Sequence, residues 1–333
     1  MATLPAASAA TAGFRHVETG RTIVFGRGAV AAAADLLGAG YTLLSTRRAI
    51  EATPEVAARA GAVVEVAEGR VEDVAAEIRA SVRGARLVAL GGGRVVDVAK
   101  ALAAADAPRQ VVAIPTSPAG AEMTGVHRHA LGVPDDTPRV RPDVVVNDPA
   151  LSASQPVPAL AASSGNALGH AVTGLLSARS TPIGAAVARE AILRMAAAWA
   201  GEDPDREAVA LGALLAGWAV DASGLGPHHA LAQSAVRTAG LGHAQANVAI
   251  LPATVRAARR RRPAELDAVE RAFGVRLETL AERLRDRAGA DLGGLTTDDE
   301  LLEAAVRAAA GRPELDRIPP APDHAEIRAI YRG

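Results

Sequence analysis

The stretch that most constrains this chain runs Ala85–Leu90, then Gly91, Gly92 and Gly93, then Val95–Ala105: an apolar strand candidate, three glycines and an Ala/Val-rich helix candidate. Glycines at such a junction let the backbone turn sharply and come close to a ligand. The unpaired first-turn N–H groups and the positive end of the helix dipole then face that ligand. The junction belongs to β-α-β units around a mostly parallel sheet, and the ligand that suits it is a dinucleotide pyrophosphate. Three glycines alone also make a plain tight turn, so the flanking residues carry the weight.

The rest of the first half repeats the alternation. Thr22–Phe25, Tyr41–Ser45, Ala62–Glu65, Gln110–Ile114 and Val144–Asn147 read as short strands, with Gly28–Leu37 and Val71–Val82 as helices between them. After Pro149 the strand signals stop. Ala/Leu/Arg segments with helical spacing run from Ala159 to Arg312, and a Pro-rich 313–322 segment precedes a short helix ending at Tyr331. The predicted organisation is a dinucleotide-binding α/β domain over 1–150, Rossmann-like with a mostly parallel sheet, and an all-helical substrate and catalytic domain over 151–333. Residues 1–12 are small and lack both the basic start and the apolar middle of a secretory signal, so they read as a frayed tail and the cytoplasm is the expected address.

Composition removes several classes. No run approaches the roughly 18 apolar residues of a membrane span, which predicts no membrane partner. Cysteine is absent, so thiolate nucleophiles, disulfides and Cys-based metal sites are excluded and any metal must rest on His, Asp or Glu. With a formal charge of −1 and only two Trp, two Tyr and three Phe, the chain offers neither a basic field nor stacking platforms for nucleic acid. The one basic run, Arg259 to Arg262, ends at Pro263 and reads as the solvated last turn of a helix. Nearly every cation is arginine, and the single lysine is Lys100.

The string Gly91-Gly-Gly-Arg94-Val-Val-Asp97-Val-Ala-Lys100 resembles the GGGSxxDxAK signature of the iron-containing alcohol dehydrogenases, with the lone lysine on the signature's lysine and Arg94 replacing its serine. Ile114-Pro-Thr116-Ser117-Pro-Ala-Gly120-Ala-Glu122-Met-Thr124 is similar to the IPTTxAGSEMT loop of the same superfamily, placing the hydroxyls of Thr116, Ser117 and Thr124 near phosphate or ribose. The resemblance implies the dehydroquinate synthase-like fold, a nicotinamide dinucleotide and a homodimer. Many NAD-specific relatives carry an acid after an early strand. Ser45-Thr46-Arg47-Arg48 offers none here, so Ser45 and Thr46 would meet the ribose, and both NAD(H) and NADP(H) stay open.

In the second half, Asn166 and His170 share one helix face by their i,i+4 spacing, and His228-His229, Gln233 and His243 follow. In the superfamily's metal enzymes the ligands come from DALAH-like, HxxAH and LPHGxAN-like segments. By local motif Asn166 falls on the Asp, His170, His229 and His243 on the histidines, and Gln233 on the second His of HxxAH. Three histidines would still hold zinc or iron. The resemblance is strongest to maleylacetate reductases, which also carry Asn and a paired His-His and work without metal, so a metal-free site is expected. Protonated or proton-donating His170, His229 and His243 would then act on the substrate oxygen, with Asn166 beside them. His228, Gln233, and the His127 and Arg128 pair would contact substrate, although 127–129 reads equally as an exposed loop. The implied reaction is hydride transfer from NAD(P)H to an unsaturated or oxo acid. A metal-dependent alcohol dehydrogenase and a relative catalysing a non-redox step are the alternatives.

Overall fold

The computed structural model describes residues 14–18 and 20–333, so the N-terminal tail lies outside the described residues. The chain divides into two compact units, one ending at Ser154 and the other running Gln155–Gly333. The first is built on a sheet of β1 (Phe14–Glu18), β2 (Arg21–Phe25), β3 (Thr42–Ser45), β4 (Ala62–Glu65), β5 (Arg86–Gly91), β6 (Gln110–Pro115) and β7 (Val144–Asn147), ordered β1-β2-β7-β6-β5-β3-β4. Every neighbouring pair is parallel except β1 with β2.

Central strands of a parallel sheet are covered on both faces and read as unbroken apolar runs. β5 and β6 do so, and apart from their first residues they are buried throughout. Successive side chains alternate between faces. Leu44, Leu87 and Ala89 join Val95, Val96 and Leu102 in one apolar layer, while Leu43, Val88 and Leu90 join Val112, Ile114 and Val146 in the other. The register sets Gly91 opposite Pro115 and Leu90 opposite Ser45. The carboxyl ends of β3, β5 and β6 therefore lie side by side, the edge at which open α/β sheets take ligands.

The apolar pattern does not predict β1, because Phe-Arg-His-Val-Glu is no apolar run. The single helix expected over Gly28–Leu37 breaks at Ala33 (φ −96°, ψ 11°) into Ala29–Ala32 and Ala34–Leu37. Val71–Val82 ends as an α-helix at Ile78 and tightens into a 3-10 turn, Arg79–Ser81.

The second unit contains helices and no strand among the described residues. Its axis is Val157–Leu176, buried without interruption from Leu160 to Leu176. Small residues let neighbours close on it. A Cβ added at Gly174 would lie 2.8 Å from the Ala219 methyl, and one at Gly165 would lie 2.5 Å from Val248 Cγ2. Trp199, fully buried, donates its indole N–H to Ser164 Oγ at 3.0 Å. A second apolar cluster lies under Pro227–Ala239, Asp299–Ala310 and His324–Arg332, where the Tyr331 hydroxyl donates to Leu231 O at 2.8 Å.

The reading of Arg259–Arg262 as a solvated turn is corrected. Arg259 is 15% exposed and pairs with Asp267, Glu270 and Glu278, and Arg261, 8% exposed, pairs with Glu326. The run does end the His243–Arg261 helix, but its guanidinium groups staple that helix to its neighbours. Among the described residues no single helix is long and apolar enough to cross a membrane.

Candidate active site

At the carboxyl end of β5, Gly92 caps the Gly93–Ala105 helix with no side-chain hydrogen bond and no acid in the first turn. None of the three glycines needs a left-handed backbone, and Gly92 sits at φ −72°. Space is what requires them. A Cβ on Gly91 would strike Val95 at 2.6 Å, a β-branched side chain that cannot swing aside in a helix. One on Gly92 would come within 3.1 Å of Ser117 Oγ, so the Thr116–Ser117 loop closes over the turn, tied by the Thr116 N–H donating to Gly91 O at 2.9 Å. Gly93 is different: a Cβ there would meet only Ala121 at 3.5 Å and Ala119 at 3.8 Å. Packing within the protein therefore does not account for the glycine at 93. Arg94 adds a guanidinium to the positive end of the helix, with its buried Nε lacking a hydrogen-bond partner. A cation is unfavourable at that end unless an anion joins it. These features fit a dinucleotide diphosphate.

Lys100 and Thr124, expected at the cofactor, are buried here in bonds that hold this loop, and Asp97 is paired with Lys100. Lys100 is 0% exposed. Its ammonium donates to the carbonyls of Ala121, Thr124 and Val126 at 2.8–3.0 Å and pairs with Asp97 at 2.7 Å. Thr124 Oγ1 accepts a longer bond from the same ammonium, at 3.4 Å. Ser45, also fully buried, donates to Leu90 O at 2.7 Å and so joins β3 to β5, while Thr46 caps the helix Arg47–Ala52.

Glu122 belongs to the same braced turn. It is buried, accepts from Asn147 Nδ2 at 3.2 Å, and burial pushes its carboxyl up to about 7 against the opposing pull of Lys100. Below pH 4.5 the group is protonated in folded and unfolded chains alike. Between pH 4.5 and about 7 the unfolded chain ionises while the native carboxyl stays protonated, so up to about 3 kcal/mol of stability is lost across that window. Glu122→Gln is expected to flatten the urea midpoint between pH 4.5 and 8 and to raise it most at pH 8. A wild-type midpoint that rises over that interval would contradict the assignment.

The helical unit gathers the imidazoles. Val157–Leu176 supplies Asn166 and His170 one turn apart, and Pro227–Ala239 supplies His228 and His229 in its first turn. His170 and His229 stack at 4.0 Å with 10° between planes, and His228 stands edge-on to His229 at 4.9 Å. The Asn166 amide bridges the stacked pair. Its Nδ2 lies 3.2 Å from His170 Nε2, and its Oδ1 lies 3.2 Å from His229 Nε2. With the amide oriented so, His229 carries its proton on Nε2 and His170 on Nδ1. Burial first, then the neighbouring imidazoles, hold His229 well below the usual histidine range, and burial lowers His228 to about 3. Of the two forms expected for His229, protonated or proton-donating, burial disfavours the protonated one. His243 begins the His243–Arg261 helix, exposed, with Asn247 Nδ2 3.3 Å from its Nε2.

The bridge also tests a metal. A divalent cation needs converging lone pairs and favours an anionic oxygen. Here a neutral amide gives an N–H to one imidazole nitrogen and takes one from the other, and the rings lie face to face. Among the described residues no three His, Asp or Glu side chains are grouped to hold a metal. As arranged, the donor set does not fit one.

The structure does not bring every candidate to these two places. His127 is buried in its own loop, with Nδ1 2.9 Å from Arg128 O and Nε2 accepting the Val140 N–H at 3.1 Å, and burial pushes it down to about 3. Both nitrogens serve the loop, so the substrate role is corrected to a structural one. Arg128 is exposed. Gln233 Oε1 accepts from Arg312 at 2.9 Å, tying down the segment after Asp299–Ala310. Sequence reasoning missed Thr254, which carries no motif, and gave no role to Asn247, although it falls on the Asn of the LPHGxAN-like segment that places His243.

The Fe-containing alcohol dehydrogenase C-terminal family model matches residues 160–310. A maleylacetate reductase from Sphingobium indicum is 32% identical over 273 residues, covering 76% of this chain and 77% of that protein. One from a Rhizobium species is 30% identical over 219 residues, and that match spans 62% of each chain. The crystal structure of maleylacetate reductase from Agrobacterium tumefaciens superposes with a TM-score of 0.80 at 26% identity, covering 96% of this chain and 97% of that one. The chain belongs to the Fe-containing alcohol dehydrogenase family and has the fold of its NAD(P)-dependent oxidoreductases.

Proposed function

We propose that the chain is an NAD(P)H-dependent reductase that transfers hydride to an unsaturated or oxo acid without a metal, maleylacetate being the substrate that its relatives' names suggest. Residues 1–150 take the dinucleotide and 151–333 the substrate. The observation that carries this reading is the Asn166 amide, which engages one nitrogen of each ring of the His170–His229 pair and sets their tautomers, in a cluster where no three His, Asp or Glu side chains among the described residues are grouped for a cation.

The amides of Gly92 and Gly93, the Arg94 guanidinium and the hydroxyls of Thr116 and Ser117 hold the diphosphate and ribose. When bound, the dinucleotide supplies the hydride. Asn166 fixes the tautomer of each stacked ring, so His170 presents Nδ1–H toward a developing oxyanion, and its neutral partner adds no charge. Exposed His243 exchanges the proton with solvent. The reading extends to a cytoplasmic homodimer with no nucleic-acid or membrane partner, supported by the formal charge of −1 and by exposed large apolar side chains that are scattered singly, such as Leu131 and Ile183.

Purified protein given NADH or NADPH and a panel of oxo and enol acids is expected to consume one nucleotide in a substrate-dependent way, read at the nicotinamide absorbance band, with activity unchanged after dialysis against a chelator. Loss of activity on chelation, restored by zinc or iron, would overturn the metal-free mechanism. Turnover without nucleotide consumption would overturn the redox reading.

A further inference from the structure

Asn247 lies between two imidazoles, and its own bonds decide which atom of each ring carries a proton. Its side chain is fully buried. Nδ2 lies 2.8 Å from the carbonyl of His243, one turn back in the same helix, and 3.3 Å from His243 Nε2. A backbone carbonyl only accepts, so the amide atom that faces it is the nitrogen, and the amide cannot be flipped. The second N–H of that nitrogen points at His243 Nε2. That ring atom accepts, and His243 carries its proton on Nδ1.

The other end of the amide, Oδ1, is buried and needs a donor. His228 supplies it, standing within side-chain hydrogen-bonding reach of Asn247 and kept neutral by burial, so that its ring has one proton to place. On Nδ1 that proton would meet Thr254 Oγ1, 2.8 Å away, and would strand both Nε2 and Asn247 Oδ1 as buried acceptors. On Nε2 it satisfies Oδ1. Nδ1 then accepts, and the Thr254 hydroxyl turns to it from the carbonyl of Leu251 at 2.9 Å, a helix carbonyl that the backbone ladder already serves. Each arrangement makes two hydrogen bonds, but only the second leaves nothing stranded. The ring is also held in place by packing: a Cβ on Gly169 would lie 2.3 Å from His228 Cδ2 and 2.5 Å from Nε2, so only a bare backbone in the central helix leaves room for that edge.

Resting on the reading that the imidazole cluster is the reaction site, we propose that Asn247, anchored by His228 and Thr254, is a positioning residue that holds His243 as the Nδ1–H tautomer. Nδ1 is thereby the atom through which that exposed ring exchanges the substrate's proton. A proton added at Nε2 would confront the amide N–H, so His243 gives and takes at one atom only. His228 is closed by comparison, since both of its nitrogens are engaged, and it serves as the anchor and not as a second donor.

Two measurements on the full-length protein test this. The chain has eight histidines, and in the 15N spectrum of histidine-labelled protein the two rings are assigned by the signals that vanish in His243→Gln and in His228→Gln. Wild type is expected to show Nδ1–H for His243 and Nε2–H for His228. Asn247→Asp puts an acceptor where the N–H stood. It is expected to move the His243 proton to Nε2 while His228 keeps Nε2–H, and to lower kcat by at least about tenfold with KM for the nucleotide within about twofold of wild type. Nε2–H on His243 in wild type would overturn the proposal whether or not the variant folds. So would a variant in which the proton moves and kcat stays within about twofold of wild type. Expected spectra from a wild-type protein that consumes no nucleotide with any acid would count instead against the reaction assigned above, and the tautomer assignment would stand.

Discussion

Lys100→Met is expected to lower the unfolding free energy by about 4 kcal/mol and to weaken nucleotide binding by at least about tenfold, read from urea midpoints and from nucleotide titration. The substitution keeps the length of the side chain and removes its donors. Three carbonyls then lose a partner that no water replaces at a position 0% exposed, and the carboxylate of Asp97 loses its ion pair. Breaking a buried pair from one side costs about 3–5 kcal/mol, because the remaining charge is stranded. Glu122 would move further up as well, since the nearby ammonium is a force holding it down. Lys100→Arg is expected not to rescue, for a guanidinium brings a wide planar fork to acceptors arranged around one point. Nucleotide affinity responds because the ammonium holds Ala121, Thr124 and Val126, the turn that follows the Thr116–Ser117 loop against Gly92. A midpoint within about 0.5 kcal/mol of wild type would show that the lysine is not the brace that its burial implies.

That outcome bears on what a single sequence can show. The strand, triple glycine and helix were legible because they are contiguous, and period and backbone freedom are local properties. The helical second half was legible for the same reason, its Ala/Leu spacing running unbroken to Arg312. The role of Lys100 was not, since its acceptors lie 21 to 26 residues ahead in a loop with no periodicity. The motif placed it beside the ligand, and burial places it under the turn. Likewise Arg259 looks like one cation of an exposed run until Glu270 and Glu278 are folded against it. The break at Ala33 escaped because every residue around it favours a helix. Among the imidazoles, spacing paired Asn166 with His170 correctly on one face and motif grouped His229 with them, but the Asn166–His229 bond spans 63 positions, and neither it nor the stacking of His170 on His229 can be read from local spacing. Nor could the sequence announce that Gly169 presses on His228, which requires two helices to be packed first.

The bridge at Asn166 yields the other large effect. Asn166→Asp is expected to raise zinc affinity on the order of 1,000-fold, about 4 kcal/mol, measured by calorimetry and as a zinc-dependent rise in unfolding temperature that wild type lacks. The carboxylate would stand where the amide now stands, 3.2 Å from the Nε2 atoms of His170 and His229. It would supply the anionic oxygen that the neutral amide cannot, and it has no N–H to occupy an imidazole lone pair. In the absence of metal the same charge would draw a proton onto the stacked pair, because an adjacent anion favours imidazolium, in opposition to the burial that now keeps His229 neutral. Reductase activity without added metal is therefore expected to fall by about 100-fold or more, as the ring meant to meet the substrate oxygen becomes one half of an internal ion pair. The two states separate the possible chemistries. If wild type binds zinc as tightly as the variant, the amide is no barrier to coordination and the metal-free mechanism fails. If neither binds zinc, the stacked geometry itself is the barrier, and the amide serves only to set the tautomers.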